Sequence, residues 1–232
     1  MPICAEQCCV WHICITVSSH AARARCLPRF LFFQLASALD HCHHHALPNA
    51  RIIHRDLKPA NLGLMRASDS QPERVVLFDF GLATVFKLSG KADAGASERR
   101  RLTACTGSRR YMAPEVMRGE AYNHTCDCYS FGVLLWQMLA HDAPFDELRG
   151  LDELTYTERV SAEHFRPKLR PSWPAELSDL ISECWTTDPA AWPEMGRAAE
   201  RLSALIASGE LVRSVTPPSS RPASSVGGKL RR

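Results

Sequence analysis

Residues Ile52–Asn61 read IIHRDLKPAN, and Leu77–Ala83 read LFDFGLA. Within these stretches stand two carboxylates, Asp56 and Asp79, one ammonium, Lys58, and one amide, Asn61. These are the residue types that phosphoryl transfer asks of a protein. A carboxylate orients an incoming hydroxyl and accepts its proton. A cation stabilises charge on the moving group, and hard oxygen ligands hold magnesium beside phosphate oxygens. A third block, YMAPE, follows at Tyr111–Glu115. The order and spacing of the three blocks govern the reading of everything around them.

The signature H-R-D-L-x-x-x-N is matched in full by His54, Arg55, Asp56, Leu57 and Asn61, and D-F-G by Asp79, Phe80 and Gly81. On these motifs the chain resembles the eukaryotic protein kinase family, specifically its C-terminal lobe, from about Pro28 to Ala207. The resemblance implies a mainly α fold of the α+β kinase type, a helical lobe with a few short strands around the catalytic loop and the DFG segment. It implies ATP and Mg2+ as cofactors, and a nucleotide and a protein substrate as partners. Asp56 is then the catalytic carboxylate, and Lys58 the cation on the transferring group and the nucleotide. Asn61 and Asp79 are the metal ligands. Asp127 is expected to support the backbone of the catalytic loop, since a buried acid needs such partners. Arg55 is expected to receive a phosphate on the activation segment, with Thr103 or Thr106 as favoured acceptors and Ser97 as a third candidate.

The resemblance also speaks to the acceptor. Lys58 and Ser108 match positions that favour serine or threonine over tyrosine. TGSRRYMAPE, YSFGVLLWQML and ECWTTDP are similar to the tyrosine-kinase-like group of Ser/Thr kinases. Two positions depart from the family pattern. Gly63 stands where an apolar side chain is expected under the adenine ring, so a void is expected there. Trp192, in DPAAWPEM, stands where an arginine is expected to pair with Glu115. Arg197 is the candidate substitute.

The first lysine of the chain is Lys58 and the first glycine is Gly63. A glycine-rich loop over the phosphates and a strand lysine that pairs them therefore cannot lie upstream of the catalytic loop in these residues. The expectation is a truncated domain without an N-terminal lobe, weakly active or inactive by itself. A non-catalytic docking module and an incomplete gene model are the alternatives.

The chain has 232 residues, 45% of them hydrophobic and 23% charged, which suffices for one sizeable core. A net charge of +3 is too small to argue for nucleic acid as a partner. Ten cysteines are present, and Cys4, Cys8, Cys9 and Cys14 cluster, but without the paired spacing of zinc modules. Reduced thiols in an intracellular protein are the simpler reading. The opening MPICAEQCCVWHICITV lacks a basic leader region, and no run has the length of a membrane span, so no membrane partner and a cytoplasmic location are expected.

Residues 1–27 match nothing that can be assigned. From Pro28, the positions Leu31, Leu35, Ala38, Leu39 and Cys42 fall on one helical face. The HCHHH run, His41–His45, reads as the solvated end of that helix, because neighbouring histidines splay around the axis. Strands are expected at Leu62–Met65 and Val75–Phe78, joined by a polar surface turn. Ser89–Arg101 reads as a mobile part of the activation segment. Asp127–Ala140 is apolar around most of its circumference, as a buried central helix is. Leu177, Leu180, Ile181, Cys184 and Trp185 make one further helical face, and Met195, Ala198, Ala199, Leu202, Leu205 and Ile206 another. Residues 208–232 read as a disordered Pro/Ser-rich basic tail.

Overall fold

A computed structural model describes residues 27–65, 74–89 and 98–210. The N-terminal cysteine cluster, most of the polar turn after Met65, Ser97 and the chain beyond Glu210 lie outside the described residues. The described part is mainly helical with short strands, as the fold class required.

The long helix α3 (Thr125–Ala140) is the axis of the fold. Its residues from Cys126 to Trp136 are all buried, so it is enclosed on every side rather than along one stripe. Tyr129, Phe131, Leu134 and Leu135 are among the largest fully buried side chains. Each such side chain contributes roughly 1.5–3 kcal/mol of transfer free energy. The helix stops at His141, whose left-handed backbone (φ 52°) turns its N–H back to the Gln137 carbonyl at 2.9 Å.

Around α3 lie α1 (Leu27–Asp40), α5 (Ala175–Cys184) and α6 (Met195–Ser208). The faces expected for α5 and α6 are those buried, with Ile206 only partly covered. In α1 the buried stripe is Phe32, Leu35, Ala36 and Leu39, whereas Leu31, Ala38 and Cys42 are only partly buried. The stripe is rotated because α1 packs against α6 on one flank and a strand pair on the other, with α3 beneath. In the HCHHH run His41, His44 and His45 are exposed, as expected, and His43 is the exception. The run continues as one wide turn, His41–His45, and His43 is buried at 1% exposure.

Six short strands form three antiparallel pairs. β1 (Ala50–Ile53) pairs with β4 (Thr84–Lys87), and β2 (Leu62–Met65) with β3 (Arg74–Leu77). β5 (Arg100–Arg101) pairs with β6 (Ala121–Tyr122), so the end of the segment expected to be mobile is held in a strand. The short α2 (Pro114–Met117) and α4 (Glu153–Ser161) complete the lobe. Among the described residues, no helix is long and apolar enough to cross a membrane.

Candidate active site

The loop after β1 carries His54, Arg55 and Asp56, and its shape is fixed from below by α3. Asp127, in the first turn of that helix, is fully buried. Its two oxygens accept the backbone N–H groups of His54 and Arg55, each at 2.8 Å. A third bond comes from His43 Nε2 at 2.9 Å. Burial alone would raise the pKa of Asp127, but these bonds outweigh it and hold the carboxyl below its usual range. Arg55 adopts a left-handed backbone (φ 67°), a conformation that costs a non-glycine residue energy and so needs such over-determination.

His54 joins the two motifs. Its Nε2 lies 3.1 Å from the Phe78 carbonyl, which requires the proton on Nε2. Its Nδ1 then accepts from the Asp56 N–H at 3.3 Å. The same ring packs edge-on to Phe80, with centroids 4.9 Å apart.

Asp56 is 6% exposed and fully engaged. Oδ2 accepts from Lys58 Nζ at 2.7 Å and from Asn61 Nδ2 at 3.2 Å, and Oδ1 accepts from the Ser108 N–H at 2.8 Å. Lys58 Nζ also donates to Ser108 Oγ at 3.1 Å. Burial pushes the Asp56 carboxyl up, yet the bonds from Lys58 and Ser108 prevail and keep it below its ordinary value. Gly107 makes this approach feasible. Its φ is 101°, and a Cβ there would lie 2.1 Å from the Arg55 carbonyl oxygen, so only glycine lets the activation segment lie on the loop.

Asn61 is buried and donates Nδ2 to the Asp56 carbonyl at 2.8 Å, which leaves its amide oxygen as the lone-pair donor. Asp79 is exposed, in a left-handed backbone (φ 63°), and among the described residues accepts only the Gly81 N–H, at 3.3 Å. Leu62 pairs with Leu77, and the Phe78 N–H donates to the Asn61 carbonyl at 3.1 Å. Asn61 and Asp79 therefore flank the same end of the β2–β3 pair. An amide oxygen and a free carboxylate there form a hard, sparse donor set of the kind magnesium accepts. An apolar cavity of about 160 Å³ lies beside Gly63, lined by Leu31, Leu35, Leu62, Val75 and Met138 among others.

The expected phosphate acceptors separate. Thr103 is exposed. Thr106 is buried and donates its hydroxyl to the Thr103 and Ala104 carbonyls at 3.0 and 3.2 Å, so the two are not equivalent. Arg55 donates Nη1 to Tyr122 Oη at 3.1 Å, and Tyr122 donates in turn to the Thr103 carbonyl at 2.8 Å.

Glu115 is 2% exposed, and its Oε2 has no hydrogen-bond partner among the described residues. Neither Arg197 nor any other described arginine bonds to it, which removes the expected substitute. Trp192 is buried instead, donating Nε1 to the Thr186 carbonyl at 2.9 Å and lying 5.7 Å from the Tyr129 ring. Burial raises the Glu115 carboxyl to about 7, against the pull of Arg99 and Arg118.

Sequence reasoning missed His43, Tyr122 and a second histidine network. His43 follows Leu39 by one turn on the buried face of α1, and that register was its only signal. His44 and His124 each place Nε2 2.9 Å from Glu194 Oε2, a grouping whose spacing suits a metal. However, Arg51 Nη1 lies 2.5 Å from the same His124 Nε2 and 2.7 Å from its Nδ1. A cation there would meet a fixed guanidinium charge, and burial lowers the pKa of the His124 ring to about 4, so the group is a hydrogen-bonded network that ties the start of α6 to the turn after α1 and to the start of α3.

The chain matches the family described as Protein kinase domain over residues 12–201. It is 37% identical over 155 residues, 67% of its length, to Serine/threonine-protein kinase STY17 of Arabidopsis thaliana. It is 32% identical over 169 residues, 73% of its length, to Cyclic GMP-binding protein C of Dictyostelium discoideum. With Mitogen-activated protein kinase kinase kinase 11 of Homo sapiens it shares 29% over 175 residues, 74% of its length. These alignments cover 24%, 6% and 19% of the three relatives respectively, so the chain spans less than a quarter of each.

Proposed function

This chain belongs to the protein kinase domain family, and on that premise we propose that it carries the catalytic half of a serine/threonine protein kinase of tyrosine-kinase-like type. The observation that carries the reading is the Asp56 carboxylate, held ionised between Lys58 Nζ at 2.7 Å and the Ser108 N–H at 2.8 Å. An ionised carboxylate fixed on three sides by donors can orient a hydroxyl and take its proton as the oxygen attacks phosphorus. Lys58 brings positive charge to the transferring group, and its bond to Ser108 ties it to the segment that receives the peptide. The oxygen donors of Asn61 and Asp79 suit magnesium, which when bound neutralises charge on the phosphates of ATP. The serine or threonine preference rests on Lys58, Ser108 and the named kinase relatives. Arg55 beside exposed Thr103 is consistent with activation by phosphorylation there.

Within this chain nothing upstream of Lys58 can supply the lysine that pairs the phosphates, so transfer by the chain alone is expected to be slow. The test is phosphate transfer from magnesium-ATP onto matched Ser, Thr and Tyr peptides. Slow transfer to Ser and Thr, abolished by Asp56→Asn, supports the proposal. Transfer that survives Asp56→Asn refutes it. A second reading, a non-catalytic docking module, is favoured by Phe80 and Leu82, each 41% exposed at the edge of the site. Partner binding by a chain that gives no transfer even when a separate N-terminal lobe is supplied would select that reading.

A further inference from the structure

Beside the Asp56 cluster lies a cavity of about 480 Å³, walled by Lys58, Ser108, Arg109, Arg110 and Tyr111, with Pro59 and Ala60 as its remaining lining. Its wall contains three cations and no acidic side chain. Lys58 is spoken for by Asp56. The two arginines are not fully engaged. The Arg109 side chain is exposed, lies 4.5 Å above the Tyr156 ring, and makes no hydrogen bond or ion pair among the described residues. Arg110 donates Nη1 to the Pro144 carbonyl at 2.9 Å, and its other terminus reaches Asp146 only at 3.5 Å. Stacking on Tyr156 holds Arg109 in place while leaving its N–H edge free. That edge is the part of a guanidinium that grips carboxylates and phosphates in pairs.

We propose that this cavity is a specificity subsite that selects an anionic residue of the acceptor peptide close to the phosphorylated hydroxyl. The inference rests on the kinase reading above and adds the substrate class to it. The register follows from chain geometry. Ser108 lies against Asp56, and Arg110 is two residues further on, at most about 7–8 Å along the backbone. An extended peptide advances about 3.3 Å per residue. The anionic residue therefore falls within about three positions of the acceptor serine or threonine. An aspartate, a glutamate or a phosphorylated residue offers the same pair of anionic oxygens.

The experiment measures binding by fluorescence anisotropy with labelled acceptor peptides that differ only at the three positions on each side of a serine. Those positions carry glutamate, alanine, lysine or phosphoserine in turn. The glutamate peptide is expected to bind about tenfold tighter than the alanine peptide, as one charge-assisted contact supplies. The lysine peptide binds weakest, and added salt narrows the range. Tighter binding of phosphoserine than glutamate makes a previously phosphorylated substrate the source; the reverse order makes it an acidic one. Arg109→Glu, at an exposed position, inverts the ranking of glutamate and lysine peptides. Arg110→Gln, checked for folding by circular dichroism, lowers the preference without inverting it. Equal binding of glutamate and lysine peptides, or a ranking unmoved by Arg109→Glu, overturns the inference. Phosphate transfer is scored on the same peptides. Transfer to all of them without rank overturns the subsite and leaves the kinase reading standing. Ranked binding with no transfer, even with a separate N-terminal lobe supplied, refutes the kinase reading and the acceptor subsite with it, and leaves only an anion-selective peptide contact.

Discussion

Asp127 touches no reacting atom, yet the catalytic loop depends on it. Its carboxylate accepts two backbone N–H groups and one histidine N–H, all within 2.9 Å. Asp127→Asn turns one acceptor into a donor facing a donor, in a site without water access. We expect a loss of about 3 kcal/mol in urea unfolding, with His43→Ala costing less because the two backbone bonds survive. Glu115 makes a different residue-scale prediction. Its folded pKa is raised by burial to about 7 from an ordinary 4.5. The protonated acid is thus favoured by folding. Its contribution is complete below about pH 4.5 and is lost as pH rises through about 7, to a total of about 3 kcal/mol. Glu115→Gln should remove that part of the pH dependence, seen as a flatter difference in unfolding free energy between pH 5 and pH 8. An unchanged slope would mean that Glu115 finds a counter-charge. At this scale the candidate residues could be picked out because the two motifs fix their types and order, and the structure joins Asp56, Lys58 and Asn61 by hydrogen bonds. The missing partner of Glu115 was legible from Trp192. What replaces it was not, because aromatic packing of Trp192 on Tyr129 has no local sequence signature.

Among the elements, α3 and α5 approach so closely that Gly132 has no room for a side chain. A Cβ there would lie 2.5 Å from Cys184 Cβ, against backbone-anchored atoms that cannot yield. Gly132→Ala should force the helices apart and cost about 1–3 kcal/mol, although alanine favours the helix itself. Leu202→Ala, in the buried face of α6, should cost about 2–5 kcal/mol by leaving a cavity against its neighbours. Both are read from urea midpoints. The faces of α5 and α6 could be read from apolar spacing because each packs along one side. The face of α1 could not, since its neighbours on both flanks rotate the buried stripe onto Phe32 and Ala36. Within the histidine run, His43 alone departed from the expected exposure, for a related reason. Polarity predicts solvent, but Asp127 provides a buried partner from 84 residues away, which no local pattern reveals.

At the scale of the molecule, α3 serves as an axis whose first turn braces the loop of His54–Asp56, while Glu194 ties the start of α6 to the turn after α1 through His44 and to the start of α3 through His124. The described helices run from Leu27 to Ser208. The family match begins earlier, at residue 12, in residues whose sequence offered no periodic face or motif to read. The chain's central claim is that Asp56, Lys58, Asn61 and Asp79 form one phosphoryl-transfer centre. Calorimetric titration of the purified chain with ATP, with and without magnesium, tests it most directly. The account predicts weak binding that requires magnesium and is lost in Asp79→Asn, while the variant stays folded. Binding that is indifferent to magnesium and unchanged in Asp79→Asn, or no binding by the folded chain at any attainable concentration, would contradict it.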